Sequence, residues 1–211
     1  MSKGIYPRFC EQRVCIVTMA KALLVSPSYF IFFIFLIFSS TTIPVFGEEY
    51  SYVQSVNPKK MKVLKEKVSH FKLYWHDLVS GSNATSITVI KAVNNTTPYF
   101  GMVNIIDNPL TVGPNLSSKT VGKAQGLYAS SGQEDVEILM VMNFAFTDGK
   151  YNGSTFTVLG RNNVPAKVRE MPIIGGSGLF RFARGYVLAT TYELSNTGDA
   201  NIEYNAYVIH Y

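Results

Sequence analysis

The stretch that decides the fold is Val136-Glu137-Ile138-Leu139-Met140-Val141-Met142-Asn143-Phe144-Ala145-Phe146-Thr147. Every second residue from Val136 to Phe146 is apolar, whereas the other parity includes Glu137, Asn143 and Thr147. An apolar row of period two is typical of a β-strand with one buried face and does not fit a helix, whose period is about 3.6 residues. The stretch therefore predicts a strand that turns its apolar row toward a core.

Seven further segments show short apolar runs separated by Gly, Asn, Asp and Pro, and no long helical face is found. The segments are residues 70–78, 86–93, 99–106, 121–130, 155–159, 180–193 and 201–211. We interpret Gly175-Gly176-Ser177-Gly178 as a tight hairpin turn. Eight strands joined by turns predict an all-β domain closed into a barrel, because closure removes the exposed edges that an open sheet must protect.

The first 47 residues do not look like part of a folded domain. Basic residues precede the unbroken apolar run 29–38, and small or polar residues follow it. This order predicts a secretory signal peptide over residues 1–47, cleaved after Gly47. The apolar run is shorter than the roughly 20 residues that a membrane-spanning helix needs. We therefore expect a secreted, extracellular protein with no membrane segment in its mature form.

Cysteine and charge limit the functions open to the mature chain. Both cysteines, Cys10 and Cys15, lie in the leader, so no disulfide and no cysteine metal ligand is expected after cleavage. Fifteen Lys and Arg then face thirteen Asp and Glu, which is not the basic footprint of a nucleic-acid-binding protein. His70, His76 and His210 lack a partner at metal-ligand spacing, so we expect no metal site.

Residues 48–69 read as a polar, Lys-rich tail before the predicted domain at 70–211. The tail is either a solvated segment or a contact for acidic cell-wall polysaccharide. Behind a signal peptide, Asn-X-Ser/Thr sequons in predicted turns are credible N-glycosylation sites. The acceptors are Asn83, Asn94, Asn95, Asn115 and Asn152.

A carboxylate ends the aromatic face of the first predicted strand. Alternation places Phe71, Leu73, Trp75 and Asp77 on one side of this strand. If that side lines the barrel, desolvation raises the pKa of Asp77 and makes it a proton donor to a substrate. The alternative is a structural Asp77 bonded to nearby backbone N–H groups, and the strand alone does not decide between the two.

Two other strands carry rows of small residues that end in a hydroxyl. The rows are Gly122, Ala124, Gly126 and Tyr128, and Ala183, Gly185, Val187, Ala189 and Thr191. Small side chains that face inward leave room for a ligand in the barrel, which the two hydroxyls would bind. Glycine in strands also serves close packing of one strand against another, and this alternative stays open.

Several distinctive motifs follow one another along residues 70–211. They are Tyr74-Trp75-His76-Asp77, Asp107-Asn108-Pro109-Leu110-Thr111, Val121-Gly122-Lys123-Ala124-Gln125-Gly126-Leu127-Tyr128, Phe146-Thr147-Asp148-Gly149 and the run from Arg169 to Gly185. In this order they give the chain a close resemblance to the plant dirigent family. The resemblance implies an eight-stranded antiparallel β-barrel, a homo-oligomer (trimer or dimer) and one pocket per barrel. It also implies location in the apoplast or cell wall and chemistry without a cofactor.

Family members of the lignan-forming kind give stereoselectivity to the coupling of phenoxy radicals from monolignols such as coniferyl alcohol. A separate oxidase, a laccase or peroxidase, makes the radicals. The resemblance therefore implies that this chain directs such coupling. It leaves two alternatives: a dehydratase or cyclase that closes a pterocarpan-type ring from a quinone methide precursor, and a structural protein of the cell wall or of lignin deposition.

The resemblance also assigns site residues. The catalytic positions of the family fall on Asp77, Tyr128 and Arg169, and a substrate-binding threonine falls on Thr191. We add Trp75, on the same face as Asp77, and expect Asp77 to lie beside Tyr128 and Arg169. A second family aspartate falls on Asn162, whose amide cannot transfer a proton at neutral pH. This departure puts the lignan-forming reaction in doubt.

Overall fold

The structure, a computed structural model, describes residues 55–57, 65–94 and 96–211. The predicted signal peptide, most of the predicted tail and Asn95 lie outside the described residues. The unit Val56–Tyr211 contains all the described strands. They are β1 (Lys67–Asp77), β2 (Ser86–Ile90), β3 (Val103–Thr111), β4 (Thr120–Ser130), β5 (Glu137–Phe146), β6 (Thr155–Asn163), β7 (Arg169–Ser177), β8 (Arg184–Leu194) and β9 (Ala200–His210).

These strands close into a barrel. They are antiparallel neighbours in the order β1-β9-β8-β7-β6-β5-β4-β3-β2, and β1 also pairs with β3. Strands β1 and β2 share one edge of β3. The first residues of β3 pair with β2, whereas Leu110 and Thr111 pair with β1. Eight strands therefore form a closed ring, and β2 is a short additional strand on β3. The prediction of an all-β, eight-stranded antiparallel barrel is confirmed.

Strand β7 is absent from the eight predicted segments, and β2 stands in its place in the predicted count. Pro172 and the glycines of β7 are typical of turns, which is why the sequence pattern does not reveal a strand there. Pro172 is tolerated because it lies beyond the β6–β7 ladder, which begins at Ile173. Gly176 lies so close to β6 that a Cβ atom would be 2.5 Å from the carbonyl oxygen of Thr155. The interpretation of residues 175–178 as a hairpin turn is therefore wrong for residues 175–177; the turn is Gly178–Phe180.

One end of the barrel is filled with aromatic side chains. This is the end where β1 and β8 begin, and we name the group the aromatic cluster. Its members are Phe71, Phe146, Tyr151, Phe156 and Phe180. Ring centroids are 5.3 Å apart for Phe71 and Phe146, and 5.0 Å apart for the stacked Tyr151 and Phe180. The apolar row predicted in β5 is confirmed, since it is buried along its length from Met140 into this cluster.

The outer end of this cluster is closed by polar side chains. His210 lies 5.1 Å from the Phe180 ring and shares a hydrogen bond of 2.9 Å with Ser69. The Ser69 hydroxyl in turn bonds the Tyr151 hydroxyl at 3.2 Å. Since Ser69 lies in β1, strand pairing starts before His70, the predicted start of the domain.

The four predicted glycan acceptors that the structure describes are exposed and lie outside the strands. They are Asn83, Asn94, Asn115 and Asn152. Their glycosylation stays a prediction. In the part of the chain that the structure describes, no helix has the length and apolar character to cross a membrane.

Candidate functional site

The end of the barrel opposite the aromatic cluster is hollow. A cavity of about 530 Å³ lies there, and each of the nine strands contributes at least one residue to its wall. Its size suits a small organic ligand. All six site residues named from the sequence line it: Trp75, Asp77, Tyr128, Asn162, Arg169 and Thr191. These six residues lie on five strands, and two of them, Trp75 and Asp77, are both on β1.

Asp77 is the acid of the cavity, and only 6 % of it is exposed. Its Oδ1 accepts a hydrogen bond from Asn108 Nδ2 at 2.9 Å, and its Oδ2 accepts one from the Tyr128 hydroxyl at 3.0 Å. Burial raises the pKa of Asp77 above its ordinary value, although these two hydrogen bonds oppose the shift. Both partners are side chains, so the arrangement differs from the backbone-bonded structural aspartate that was the alternative.

Tyr128 links Asp77 to a network of neutral polar groups. While it donates to Asp77, its oxygen accepts a hydrogen bond from Asn104 Nδ2 at 2.6 Å. Thr88 fixes the amide by donating to Asn104 Oδ1 at 2.9 Å. Burial, and then the neighbouring charge of Asp77, raise the pKa of Tyr128, so the phenol stays protonated. The network holds the Asp77 carboxyl in one orientation toward the cavity.

The two asparagines of this network were not identified from the sequence. Asn104 and Asn108 alternate with apolar Ile106 and Leu110 on the inward parity of β3, and all four are buried. Polar residues on an otherwise apolar face are a usable signal for a site. Asn108 lies beyond the predicted strand, which ended at residue 106, because Pro109 reads as a strand breaker; Asn104 lies inside that strand and was missed although the signal was present.

Arg169 carries the positive charge of the cavity. Its Nη1 donates a hydrogen bond of 2.7 Å to the Thr191 hydroxyl, and burial lowers the pKa of its guanidinium from the usual high value. Arg169 and Asp77 both line the cavity, although among the described residues Arg169 makes no ion pair. An arginine stays charged under these conditions, so the cavity favours a ligand with electron-rich oxygens.

Three buried polar atoms of residues in the wall have no hydrogen-bond partner in the described part of the protein. They are Trp75 Nε1, Asn162 Oδ1 and Arg169 Nε. A buried polar group without a partner costs free energy, on the order of 1–3 kcal/mol. A ligand or water that accepts a hydrogen bond from Trp75 Nε1 or Arg169 Nε, or donates one to Asn162 Oδ1, recovers part of that cost.

The glycine rows serve close packing between strands. A Cβ atom on Gly126 would lie 2.1 Å from the carbonyl oxygen of Val141, and one on Gly122 would lie 2.4 Å from that of Ala145. A Cβ atom on Gly185 would likewise lie 2.0 Å from the carbonyl oxygen of Tyr207. Close packing is therefore the correct alternative for these glycines. The hydroxyls that end the two rows, Tyr128 and Thr191, do line the cavity.

Asp199 organises the loops at the cavity mouth. Its Oδ1 accepts from the backbone N–H groups of Val79 at 2.8 Å and Ser80 at 3.0 Å. Its Oδ2 accepts from the Ser80 hydroxyl at 2.7 Å and the Thr197 hydroxyl at 3.1 Å. The loop after β1 is thereby joined to the loop before β9, and the charge of Asp199 adds to the rise in the pKa of Asp77.

The arrangement suits binding and proton transfer. One carboxyl with a raised pKa and one guanidinium lie in a largely apolar enclosure, where electrostatic interactions are stronger than in water. Within the described residues no group of three or more His, Cys, Asp or Glu could hold a metal ion. The cavity can therefore bind an aromatic ligand, contact its oxygens and deliver a proton to it.

Known proteins with the same architecture identify the family. Residues 68–209 match the family model described as Dirigent-like protein. Dirigent protein 7 of Arabidopsis thaliana is 52 % identical, with 76 % of this chain and 87 % of the relative aligned. Pterocarpan synthase 1 of Glycyrrhiza echinata is 46 % identical, over 76 % of this chain and 88 % of the relative.

Solved structures agree with this result. A structure of a pterocarpan synthase dirigent protein matches with a TM-score of 0.67 and 46 % identity, covering 70 % of this chain and 87 % of that one. A second pterocarpan synthase dirigent protein matches with a TM-score of 0.67 and 44 % identity, covering 70 % of this chain and 99 % of that one. The barrel, its cavity and the match over most of the described strands lead to one conclusion: this chain belongs to the dirigent family.

Proposed function

We propose that the cavity binds a phenolic intermediate of the phenylpropanoid type and controls the stereochemistry of bond formation in it, without a cofactor. The observation that carries this proposal is Asp77, a buried acid whose pKa is raised and whose carboxyl Tyr128 and Asn108 hold toward the cavity. Arg169 and Thr191 offer donors to phenolic oxygens. The apolar wall accepts the aromatic rings.

The reaction that uses these groups most fully is an acid-assisted cyclisation. Protonated Asp77 gives its proton to a benzylic hydroxyl, the C–O bond breaks, and water leaves. A phenolic O–H on the same ring system loses its proton to solvent, which yields a neutral quinone methide. A second phenolic oxygen then adds to the electrophilic carbon, its proton returns to Asp77, and the dienone oxygen takes a proton from solvent. Similarity to two pterocarpan synthases, at 46 % and 45 % identity, supports this candidate.

Stereoselective coupling of phenoxy radicals is the second candidate. The names of several relatives support it, including Dirigent protein 7 and Dirigent protein 1 of Arabidopsis thaliana. In this reaction a laccase or peroxidase forms the radicals and the cavity supplies only their geometry. Asn162, the amide at the position of a family carboxylate, argues against the lignan-forming version, because cyclisation after coupling would lose one proton-transfer group.

One experiment separates the two candidates. Secreted protein is incubated with an isoflavanol that bears a phenolic hydroxyl on its pendant ring, without oxidase, and in parallel with coniferyl alcohol and a laccase. Product formation in the first arm supports cyclisation. An enantiomeric excess in the second arm, with racemic product from laccase alone, supports directed coupling. Absence of both effects in folded protein would refute the proposed function.

We further propose that the mature protein is a secreted, apoplastic homo-oligomer. A cross-strand row on the outside of the barrel supports self-association, since all five of its residues are apolar. Direct register connects Ile87, Ile105, Leu127, Val141 and Leu159. Ile87, Ile105 and Leu159 are exposed in the single chain, and exposed apolar rows of this kind mark interaction surfaces. Light scattering on Ile105→Lys should show a smaller particle than wild type.

A further inference from the structure

Tyr99 adopts a backbone conformation that a bulky side chain rarely takes. Its φ is 59°, in the left-handed region that favours glycine. The backbone around it is fixed: its N–H donates to Thr96 at 2.8 Å, and its carbonyl accepts from Met102 at 3.1 Å. Gly101, two residues on, donates to the carbonyl of Ser130 at the end of β4. The segment thus holds Tyr99 in place at some cost in backbone strain, which glycine at this position would avoid.

Ring stacking and hydrogen bonding within the described part of the protein do not account for the tyrosine side chain. Tyr99 is 40 % exposed and lies outside the hydrophobic core. Among the described residues its ring stacks on no other aromatic ring, and its hydroxyl makes no side-chain hydrogen bond. A strained residue whose ring and hydroxyl have no such partner in the described part of the protein is a candidate for a role in ligand binding.

The position of Tyr99 indicates what it contacts. It lines the cavity together with its neighbours Pro98 and Met102. Because Tyr99 is partly exposed while Asp77 and Arg169 are buried, it belongs to the mouth and they belong to the depth. Leu194, which is 64 % exposed, also lines the cavity, so apolar side chains are offered at the mouth from two separate segments.

We propose that Tyr99 is a specificity-determining residue that packs against a second aromatic ring of the ligand at the cavity mouth, while the first ring lies near Asp77 and Arg169. The ligand class is therefore a phenol with two aromatic rings in one molecule. This inference deepens the proposed function and rests on it for the phenolic nature of the ligand. Stacking between aromatic rings gives such a contact both affinity and orientation.

Phe182 provides a matched control within the same chain. It is the other non-glycine residue with positive φ in the described part, at 63°, and it is 51 % exposed. It does not line the cavity. Replacement of either residue by glycine relieves the same kind of backbone strain and adds the same kind of unfolded-state entropy, so the two variants should change the melting temperature by similar amounts. Only Tyr99→Gly should change ligand binding.

Binding is measured through Trp75, the single tryptophan of the chain, which lines the cavity and reports occupancy by its fluorescence. The probes are coniferyl alcohol, with one aromatic ring, and an isoflavan with a hydroxyl on each aromatic ring. For Tyr99→Gly we expect about tenfold weaker binding of the isoflavan and less than twofold change for coniferyl alcohol. Tyr99→Phe should keep wild-type affinity for both, and Phe182→Gly should do the same.

The outcomes are distinguishable. Wild-type protein that binds neither probe would overturn both the proposed function and this inference. If wild type binds both probes, and Tyr99→Gly binds the isoflavan as wild type does, the inference fails while the proposed function stands. Equal losses for the two probes would also overturn it, because Tyr99 would then not select for a second ring. A Tyr99→Gly variant that melts well below Phe182→Gly would overturn it as well, because the side chain would then serve the stability of the fold.

Discussion

The two ends of the barrel are built from the same eight strands but are used in opposite ways. At one end the aromatic cluster fills the interior, with ring centroids 5.0 to 6.1 Å apart. At the other end a cavity of about 530 Å³ is lined by polar groups of which several have no partner. The first end gains free energy from buried aromatic surface, and the second gives up part of that gain to keep a site open.

The described part of this barrel keeps a cavity open at one end because the aromatic cluster packs the other end. The aromatic cluster and the proposed ligand site lie at opposite ends of the barrel, so a change at one end should leave the property of the other nearly intact. Substitutions in the aromatic cluster and in the cavity test this separation, and the largest effect is expected in the cluster.

Phe156→Ala should cause the largest loss of stability. Phe156 is fully buried and contacts Phe71, Phe144, Phe146 and Phe180. Its truncation should cost about 3–5 kcal/mol, from lost apolar burial and a residual cavity. Chemical denaturation measures the change, with the exposed Val112→Ala as the control expected to stay within about 1 kcal/mol. A loss no larger than the control's would mean that the aromatic cluster does not carry the stability of the barrel.

Asp77→Asn should abolish most activity and leave the fold intact. A general acid contributes about 10²–10⁴-fold to rate. Asparagine keeps the shape of the carboxyl and one acceptor oxygen for Asn108, and its amide can donate to the Tyr128 oxygen while that hydroxyl turns to Ser86. Product assays and a thermal melt of the same sample give the two readings. Asp107→Asn is the control, because Asp107 is exposed and paired with Lys123 outside the cavity. Full activity of Asp77→Asn would remove Asp77 from the mechanism.

Two tyrosine-to-phenylalanine changes should have different effects on the free energy of unfolding. Tyr128→Phe removes a hydroxyl that donates to Asp77 and accepts from Asn104, so it should destabilise by about 1–3 kcal/mol and lower activity about tenfold. Tyr204→Phe removes a buried hydroxyl that has no partner in the described residues, so its stability should stay equal or rise. Thermal melts compare them. Equal destabilisation by both changes would contradict the network assigned to Tyr128.

The smallest expected effect is the pH dependence that Asp77 gives to the free energy of unfolding. Its folded-state pKa lies above the unfolded value of about 3.8, so the native state holds the proton more tightly. The contribution of Asp77 to stability is then present below the unfolded pKa and is lost as pH rises toward the raised folded pKa. The stability of Asp77→Asn relative to wild type should therefore increase across this window. A difference that stays flat with pH, measured by melts of both proteins, would show an unshifted pKa.

The same shift predicts the pH profile of the proposed cyclisation. Since the reaction needs protonated Asp77, the rate should fall as pH rises through the raised pKa. The residual rate of Asp77→Asn should lack this decline. An initial-rate profile of both proteins checks the point, and an unchanged decline in the variant would assign it to another group.

Much of the site could be predicted because alternate residues of a strand point to opposite faces, so the sequence shows which residues share a face. Phe71, Leu73, Trp75 and Asp77 alternate in β1, and the structure places them inside the barrel as expected. Parity also identified Tyr128 and Thr191, while Arg169 and Asn162 came from the resemblance to the family. Parity missed β7 because Pro172 and its glycines obscure the pattern, and it missed Asn108 because Pro109 appeared to end the strand before it.

The fold class, the family and the inward face of most strands can be read from the sequence alone, because alternation and motif order are properties of the chain. Which inward residues meet one another depends on the three-dimensional fold. Tyr128 reaches Asp77 across 51 residues of chain, and Arg169 bonds Thr191 instead of the aspartate. These neighbours depend on barrel closure between β1 and β3 and on strand register, which involve hydrogen bonds between distant segments. Packing between strands likewise decided that the glycines serve close contact, while the cavity lies at the end of the barrel that the aromatic cluster does not fill.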